Sequence, residues 1–378
     1  MRIAIVHDWL TVYAGAEKVL EQLLILYPDA EIFTLVDFLP EEYRIFLRSA
    51  KVHTSFIQHL PRARKSYRSY LPLMPLAIEQ FDLAEFDLVI SSSYAVAKGV
   101  LTGPDQVHIC YCHSPIRYAW DLQHQYLRES KLETGLKGWI AKIILSYIRI
   151  WDCRTANGVD QFIANSSYIA RRIKKVYGRD SIVIPPPVEI PQKTIEYPRE
   201  DYYVTASRMV PYKRIDLIVS AFNRMPEKRL VVIGAGPMLN GVKALAQANV
   251  TVLGYQPQAV LDEHLSRAKA FIFAAEEDFG IAPVEAQAHG TPVIAYGKGG
   301  ILDSVNEGVT GIFFPEQTEQ SICEAIEAFE RRSSPWLRDS IVENAQQFSP
   351  SAFRKRIVQA VEAQVGPVSP GAIAVIPD

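Results

Sequence analysis

Short apolar runs rich in β-branched residues alternate along the chain with segments of helical periodicity. In the first half the runs are "RIAIV", "EIFTLV", "FDLVISS", "VHICYC", "FIANS" and "IVIPPP"; in the second they are "YYVTAS", "RLVVIG", "VTVLG", "FIFAA", "TPVIAYG" and "GIFF". Continuous apolar strands separated by helices predict parallel sheets covered on both faces. The series breaks once, at the proline-rich "PPPVEIPQKTIEYP" from Pro185 to Pro198, which reads as a semi-rigid connector. The pattern therefore predicts an α/β chain of two Rossmann-like domains, 1–190 and 191–348. A further helix is expected over 349–365, with Ser349 as its cap before Pro350, packing back toward the N-terminal domain. Residues 366–378 read as a flexible tail.

The most apolar segment, "LKGWIAKIILSYIRIW", places Ile140, Ile143, Ile144, Tyr147, Ile148 and Trp151 at helical spacing. Lys142 and Arg149 interrupt it, so it reads as an amphipathic or core helix rather than a membrane span. The opening "MRIAIVHDWL" has too short an apolar run for a signal peptide and reads as a first buried strand, which places the protein in the cytoplasm.

Composition changes this picture little. A chain of 378 residues with 48% apolar content supports two packed domains, and a formal net charge of −2 gives no field that calls for nucleic acid as partner. The four cysteines, Cys110, Cys112, Cys153 and Cys323, form no paired metal-binding pattern and read as structural thiols.

Two facing domains of this kind create a cleft at the carboxyl ends of their strands, where ligands of open α/β sheets bind. Glycine-bearing loops follow several runs: Gly15 in "YAGAEKVL", Gly234 and Gly236 in "VIGAGP", and Gly297, Gly299 and Gly300 in "AYGKGG". Such loops approach phosphates and equally serve ordinary turns. In "EEDFGIAPVEA" a loop after the run "AFIFAA" holds Glu277, and Glu285 falls about one turn into a helix with Pro283 in its first turn. The amides of Phe279, Gly280 and Ile281 sit near that helix's positive end. One such site can hold an anion and accept from vicinal hydroxyls, while acids there also complement the helix dipole. In "TASRMVPYKRID" two cations, Arg208 and Lys213, flank the loop after another strand, suited to a pyrophosphate whose charge grows as it leaves. The chain offers no D-x-D pair for a catalytic divalent metal, so no metal is expected.

The segments "SRMVPYKR" and "EDFGIAPVEAQAHGTPVIA", with "YCHSPIRYAWD" and "FIANSSYIARRI" in the first half, resemble the retaining glycosyltransferases of family four, which have the two-domain GT-B fold. The resemblance runs from the "HDW" after the first strand to "FSPSAF", and R-x(4)-K together with E-x(7)-E is specific in combination. It implies that Glu285 binds the ribose of a nucleotide-sugar donor and Glu277 the transferred sugar. Arg208 and Lys213 would hold the two phosphates, helped by amides from Phe279 to Ala282, and His113 would face the donor sugar. Gly15, Gly234 and Tyr255 would complete the donor site. The family's double glycine is "AGAE" here, with Ala14 in place of one glycine.

The reaction implied moves a hexose from a nucleoside diphosphate to an acceptor hydroxyl with anomeric configuration kept, by a same-face mechanism in which the cations stabilise the departing diphosphate. "YCHSPIRYAWD" and "IRIWDCRTANGVD" look most like the mannosyltransferase branch that builds bacterial cell-surface polysaccharides, which implies GDP-mannose; a UDP-hexose is the competing donor. A nucleotide-sugar epimerase and a non-catalytic sensor are further alternatives. The acceptor implied is a lipid-linked oligosaccharide, which Arg117, Tyr118, Trp120 and Asp121 would meet. In "LPRARKSYRSYLPLMPLAIEQF" the cations Arg62, Arg64, Lys65 and Arg68 precede apolar residues, a combination that favours an anionic membrane surface at the cytoplasmic face.

Overall fold

A computed structural model of the chain describes residues 1–191 and 198–366. Part of the proline-rich connector and the tail beyond Gly366 therefore lie outside the described residues. The chain forms two compact units: Met1–Pro187 together with the chain from Phe353 onward, and Val188–Ala352.

The first unit is built on seven parallel strands: β1 (Ile3–His7), β2 (Glu31–Thr34), β3 (Val52–Thr54), β4 (Leu88–Ser93), β5 (Val107–Cys112), β6 (Gln161–Ala164) and β7 (Ser181–Val183). Their order in the sheet is β3-β2-β1-β4-β5-β6-β7. Alternate residues of β1 enter different cores: Ile3 and Ile5 join one cluster, Ala4 and Val6 another. This is the period-two division of a strand covered on both faces, and it explains why the sequence shows an unbroken apolar run there. The strand β3 carries no such run, since all its residues are half-buried at the sheet edge, and the hydrophobic pattern does not reveal it. The Pro350–Val365 helix contributes Phe353, Ile357, Ala360 and Val361 to the first unit's core, with Ser349 Oγ accepting from Ala352 N–H at 3.3 Å at its start.

The second unit has six strands: β8 (Tyr203–Ala206), β9 (Leu230–Ile233), β10 (Val250–Gly254), β11 (Ala270–Phe273), β12 (Val293–Tyr296) and β13 (Gly311–Phe314). Their order is β10-β9-β8-β11-β12-β13, all parallel. In both sheets the strand order reverses once, between β1 and β4 in the first and between β8 and β11 in the second. Chain segments leave such a reversal in opposite directions, which opens a crevice at the strands' carboxyl ends.

The apolar segment near Trp151 forms one helix, Gly135–Thr155. Of the two readings left open, amphipathic or core, it fits neither simply, since it presents one packed and one outward apolar face. Leu145, Ile148 and Trp151 are buried, whereas Ile140, Ile143 and Tyr147 lie outside. Among the described residues no helix is long and apolar enough to cross a membrane. All four cysteines are free thiols, with Cys110, Cys112 and Cys323 buried and Cys153 exposed.

Candidate active site

In the second unit, the loop after β8 carries Arg208 and then a single 3-10 turn, Pro211–Lys213; the loop after β11 carries Glu277. Because β8 and β11 are neighbours, the two loops meet, and Lys213 Nζ donates directly to Glu277 Oε1. Each side chain of this pair retains 16% of its exposure. Arg208, on the same loop as Lys213, is exposed to solvent. A cation and a carboxylate held at the same strand ends can bind a phosphate and a hydroxyl of one ligand.

The glycine loops hold this arrangement through the main chain. The "VIGAGP" loop runs alongside the Arg208 loop, with Ser207 N–H donating to Ile233 O at 3.1 Å and Met209 N–H to Ala235 O at 2.9 Å. At Gly234 (φ +131°) a Cβ would lie 1.9 Å from Ser207 O, so only glycine permits this approach. Likewise Gly300 N–H donates to Glu277 O at 2.8 Å, and a Cβ on Gly299 (φ +88°) would lie 2.5 Å from that oxygen. The second and third glycine loops thus clamp the loops that bear Arg208 and Glu277.

The helix after Glu277, Ile281–Ala288, begins behind Gly280, whose φ is +88°. The Phe279 ring is buried against Phe348 with centroids 5.4 Å apart, which leaves its amide rather than its ring for ligand contact. Ile281, Ala282 and Glu285 are half-buried on the same helix. Tyr255 follows β10 and is 77% exposed.

In the first unit the polar residues again gather where the strand order reverses. His7 ends β1, Ser92 lies opposite it on β4, and His113 follows β5. Ser92 Oγ stands 3.2 Å from His7 Nδ1 and 2.9 Å from His113 Nε2, and His7 Nε2 is 3.4 Å from Glu17 Oε1. The other Glu17 oxygen accepts from Ala14 N–H at 2.9 Å, just before the Gly15–Leu26 helix. With Glu17 accepting from His7 Nε2–H, His7 Nδ1 accepts from the Ser92 hydroxyl, which in turn accepts from His113 Nε2–H. Assigned in this way, the chain leaves His113 Nδ1 as a hydrogen-bond acceptor. Burial, helped by the nearby His7, lowers the His113 pKa to about 3, so its ring is neutral at physiological pH.

Asp8 is fully buried, and its carboxylate accepts from four successive amides, Tyr94 to Ala97, at 2.6–2.9 Å. Burial pushes this carboxyl up, while the amide donors pull it back toward the charged form. Next along this turn is Lys98, whose buried ammonium donates to Asp152 Oδ1 at 2.5 Å and to Thr155 Oγ1 at 3.0 Å.

The loop carrying the remaining candidates is tied to this network. Trp120 Nε1–H donates to Asp152 Oδ2 at 2.7 Å, and Asp121 pairs with Arg172. Both side chains are therefore engaged within their own unit. Tyr118 is half-buried and edge-on to Tyr126 at 6.0 Å, its hydroxyl pKa pushed up by burial; Arg117, also half-buried, begins a 3-10 turn. Asp8, Glu17, Ser92 and the Asn165 amide, which donates to His113 O at 3.0 Å, were not legible as site residues in the sequence. The only sequence signal was indirect: acidic or small polar residues directly after, or at the ends of, apolar runs.

Two parallel α/β units with polar residues at the strand-order reversals define a GT-B fold, and solved structures agree. The chain is similar to the lipopolysaccharide outer core galactosyltransferase WaaB in its apo form, with TM-score 0.68 and 19% identity over 96% of this chain and 100% of that one. It is similar also to Anabaena Alr3699/HepE in complex with UDP-glucose, with TM-score 0.66 and 17% identity over 96% and 100% of the two chains. The family described as Glycosyltransferase Family 4 matches residues 15–191, and Glycosyl transferases group 1 matches residues 188–348. The chain belongs to the family-four glycosyltransferases. Human alpha-1,3/1,6-mannosyltransferase ALG2 is 39% identical over 88 residues, 22% of this chain and 21% of that protein. The matched stretches span about a fifth of the length of the curated relatives.

Proposed function

We propose that the protein transfers a hexose, with retention of anomeric configuration, from a nucleoside diphosphate to a hydroxyl of a lipid-linked oligosaccharide, and that the donor is GDP-mannose. The observation that carries this reading is the contact between Lys213 and Glu277 at the β8/β11 reversal, in the unit matched by the group 1 family. In the proposed donor complex Lys213 and Arg208 take the diphosphate, Glu277 accepts from hydroxyls of the sugar, and Glu285 accepts from the ribose. Amides from Phe279 to Ala282 add donors for the phosphates at a helix start. His113 Nδ1 accepts from a sugar hydroxyl.

In the proposed step the bond from the anomeric carbon to the diphosphate oxygen breaks as the acceptor oxygen bonds to that carbon on the same face. The acceptor's proton passes to the departing diphosphate oxygen. Arg208 and Lys213 stabilise the charge that builds on that group, the task a divalent cation performs elsewhere, so transfer is expected to persist in excess chelator. Activity lost in chelator and restored by magnesium or manganese would contradict this.

The similarity to ALG2, named as a mannosyltransferase, supports mannose. The fold shared with HepE, solved with UDP-glucose, supports a UDP-hexose as the second reading. The cations Arg62, Arg64, Lys65 and Arg68 are exposed, and the proposal assigns them to an anionic bilayer that carries the acceptor. A donor panel read by thermal shift tests the reading, because a true donor stabilises the folded state by mass action. GDP-mannose should raise Tm most, and acceptor should then release GDP. Conversion of donor alone would indicate an epimerase, and binding without acceptor-dependent release a sensor.

A further inference from the structure

The Gly135–Thr155 helix has an outward face that the fold leaves uncovered. Leu136, Trp139, Ile140, Ile143, Tyr147 and Ile150 are between 45% and 74% exposed. At 100° per residue they fall within an arc of about 100°, away from the buried Leu145, Ile148 and Asp152. The exposed Lys142, which donates to Glu133 O at 2.9 Å, borders the arc on one side and the exposed Lys137 on the other. Arg149, on the Lys142 side, is half-buried and donates to Ala119 O at 2.9 Å, and the helix's single acid, Asp152, is buried.

The segment bearing the exposed cations Arg62, Arg64 and Lys65 packs beside this helix. Leu71 joins the cluster containing Leu145 and Ile148, and Glu79 accepts from Trp151 Nε1–H at 2.8 Å and from Arg154 at 2.5 Å. Leu73 and Leu76 in that segment are exposed too. An apolar arc of this size, bordered by charges of one sign, fits a surface of the opposite sign. A second copy of the chain fits it poorly, because a two-fold contact would set the bordering cations against their own kind.

We propose that the outward face of this helix lies in the interfacial layer of an anionic bilayer, parallel to the surface, with Trp139 and Tyr147 at headgroup level and the lysines against lipid phosphates. The inference rests on the peripheral attachment read from Arg62, Arg64, Lys65 and Arg68 and supplies its apolar half.

Co-sedimentation with mixed phosphatidylcholine–phosphatidylglycerol vesicles, and with phosphatidylcholine alone, tests it. The wild-type chain should bind the mixed vesicles. The double variant Trp139→Asp, Ile143→Asp should lose at least about tenfold in partitioning, since each exposed side chain gives up its burial in lipid. Brominated acyl chains should quench tryptophan emission in the wild type, and Trp139→Phe should remove that quenching. Both positions are exposed, so the Tm and donor binding of the double variant should match the wild type, which separates failure here from failure of the sugar-transfer reading. Equal partitioning of wild type and double variant would overturn the proposal while leaving the four cations to be tested by their own neutralisation. A wild-type dimer that the double variant converts to monomer, without vesicle binding, would overturn it in favour of a second copy.

Discussion

At the β8/β11 reversal Lys213 and Glu277 meet as a charged pair on loops that also carry the solvent-exposed Arg208, whereas at the β1/β4 reversal His7, Ser92 and His113 form a chain of shared hydrogen bonds. The two units share one topological device and fill it differently. Charged side chains gathered at strand ends suit a ligand that brings its own charge and gains more during reaction. A hydrogen-bonded chain held among buried side chains instead orients a hydroxyl, because each of its atoms has one permitted role. The second unit's site is therefore electrostatic, and the first unit's is positional.

The sharpest way to break this contrast is to remove charge from the first unit, where charge is structural. Lys98→Met leaves Asp152 buried without its cation and should cost roughly 3–5 kcal/mol in denaturant unfolding. A loss below about 1 kcal/mol would place the network's strength in Trp120 and in Tyr177, whose hydroxyl also donates to Asp152 Oδ2 at 3.0 Å. In the second unit charge should matter to rate: Arg208→Ala should lower turnover by about two orders of magnitude with little change in Tm. Near-normal turnover would make that cation incidental.

A smaller effect separates the two acids. Glu285→Gln should weaken GDP binding by roughly tenfold, the scale of one charge-assisted hydrogen bond, while Glu277→Gln keeps GDP affinity and damages transfer. Calorimetry with GDP on both variants decides this, and equal losses would merge their roles. Protons offer a further test. His108 is fully buried between Ser91 Oγ and Gly158 O, and burial lowers its pKa to about 4 from 6.5. Below pH 6.5 the unfolded chain takes up a proton that the native state refuses. Stability is thus fully present above that pH and should fall toward pH 4 by about 1.4 kcal/mol per unit. His113, whose pKa burial lowers to about 3, adds loss of the same sign over the same range. His108→Gln should flatten this acid limb in melts across pH. Smallest is Ser92→Ala, which frees both imidazoles from their shared hydroxyl and should reduce turnover about fivefold, the worth of one neutral hydrogen bond.

The same contrast governs what the sequence could reveal. Arg208, Lys213, Glu277 and Glu285 each follow an apolar run within one local segment, so spacing brings them out. That Lys213 touches Glu277 depends on β8 lying beside β11, which no local pattern encodes. The first unit's chain is assembled from single residues at the ends of β1 and β4 and just after β5, and "SSSYAVA" looks like any polar strand end until Asp8 is seen gathering four of its amides. The glycine loops were visible, but their reason was not: Gly234 and Gly299 answer to carbonyl oxygens of neighbouring loops. Strand β3 escaped because an edge strand of half-buried residues needs no apolar run, and the Trp151 helix stayed ambiguous between amphipathic and core because periodicity does not distinguish a face that packs on protein from one left outside.

The central claim, that Lys213 and its neighbours form a nucleoside-diphosphate site, is tested most directly by calorimetric titration of GDP and UDP into the wild-type chain and into Lys213→Met, a variant that keeps the side chain's length and removes its charge. The account predicts that one of the two nucleotides, GDP in the first reading, binds the wild type and loses at least about tenfold in affinity in Lys213→Met. Binding of equal strength to both proteins, or no binding of either nucleotide to the wild type, would contradict it.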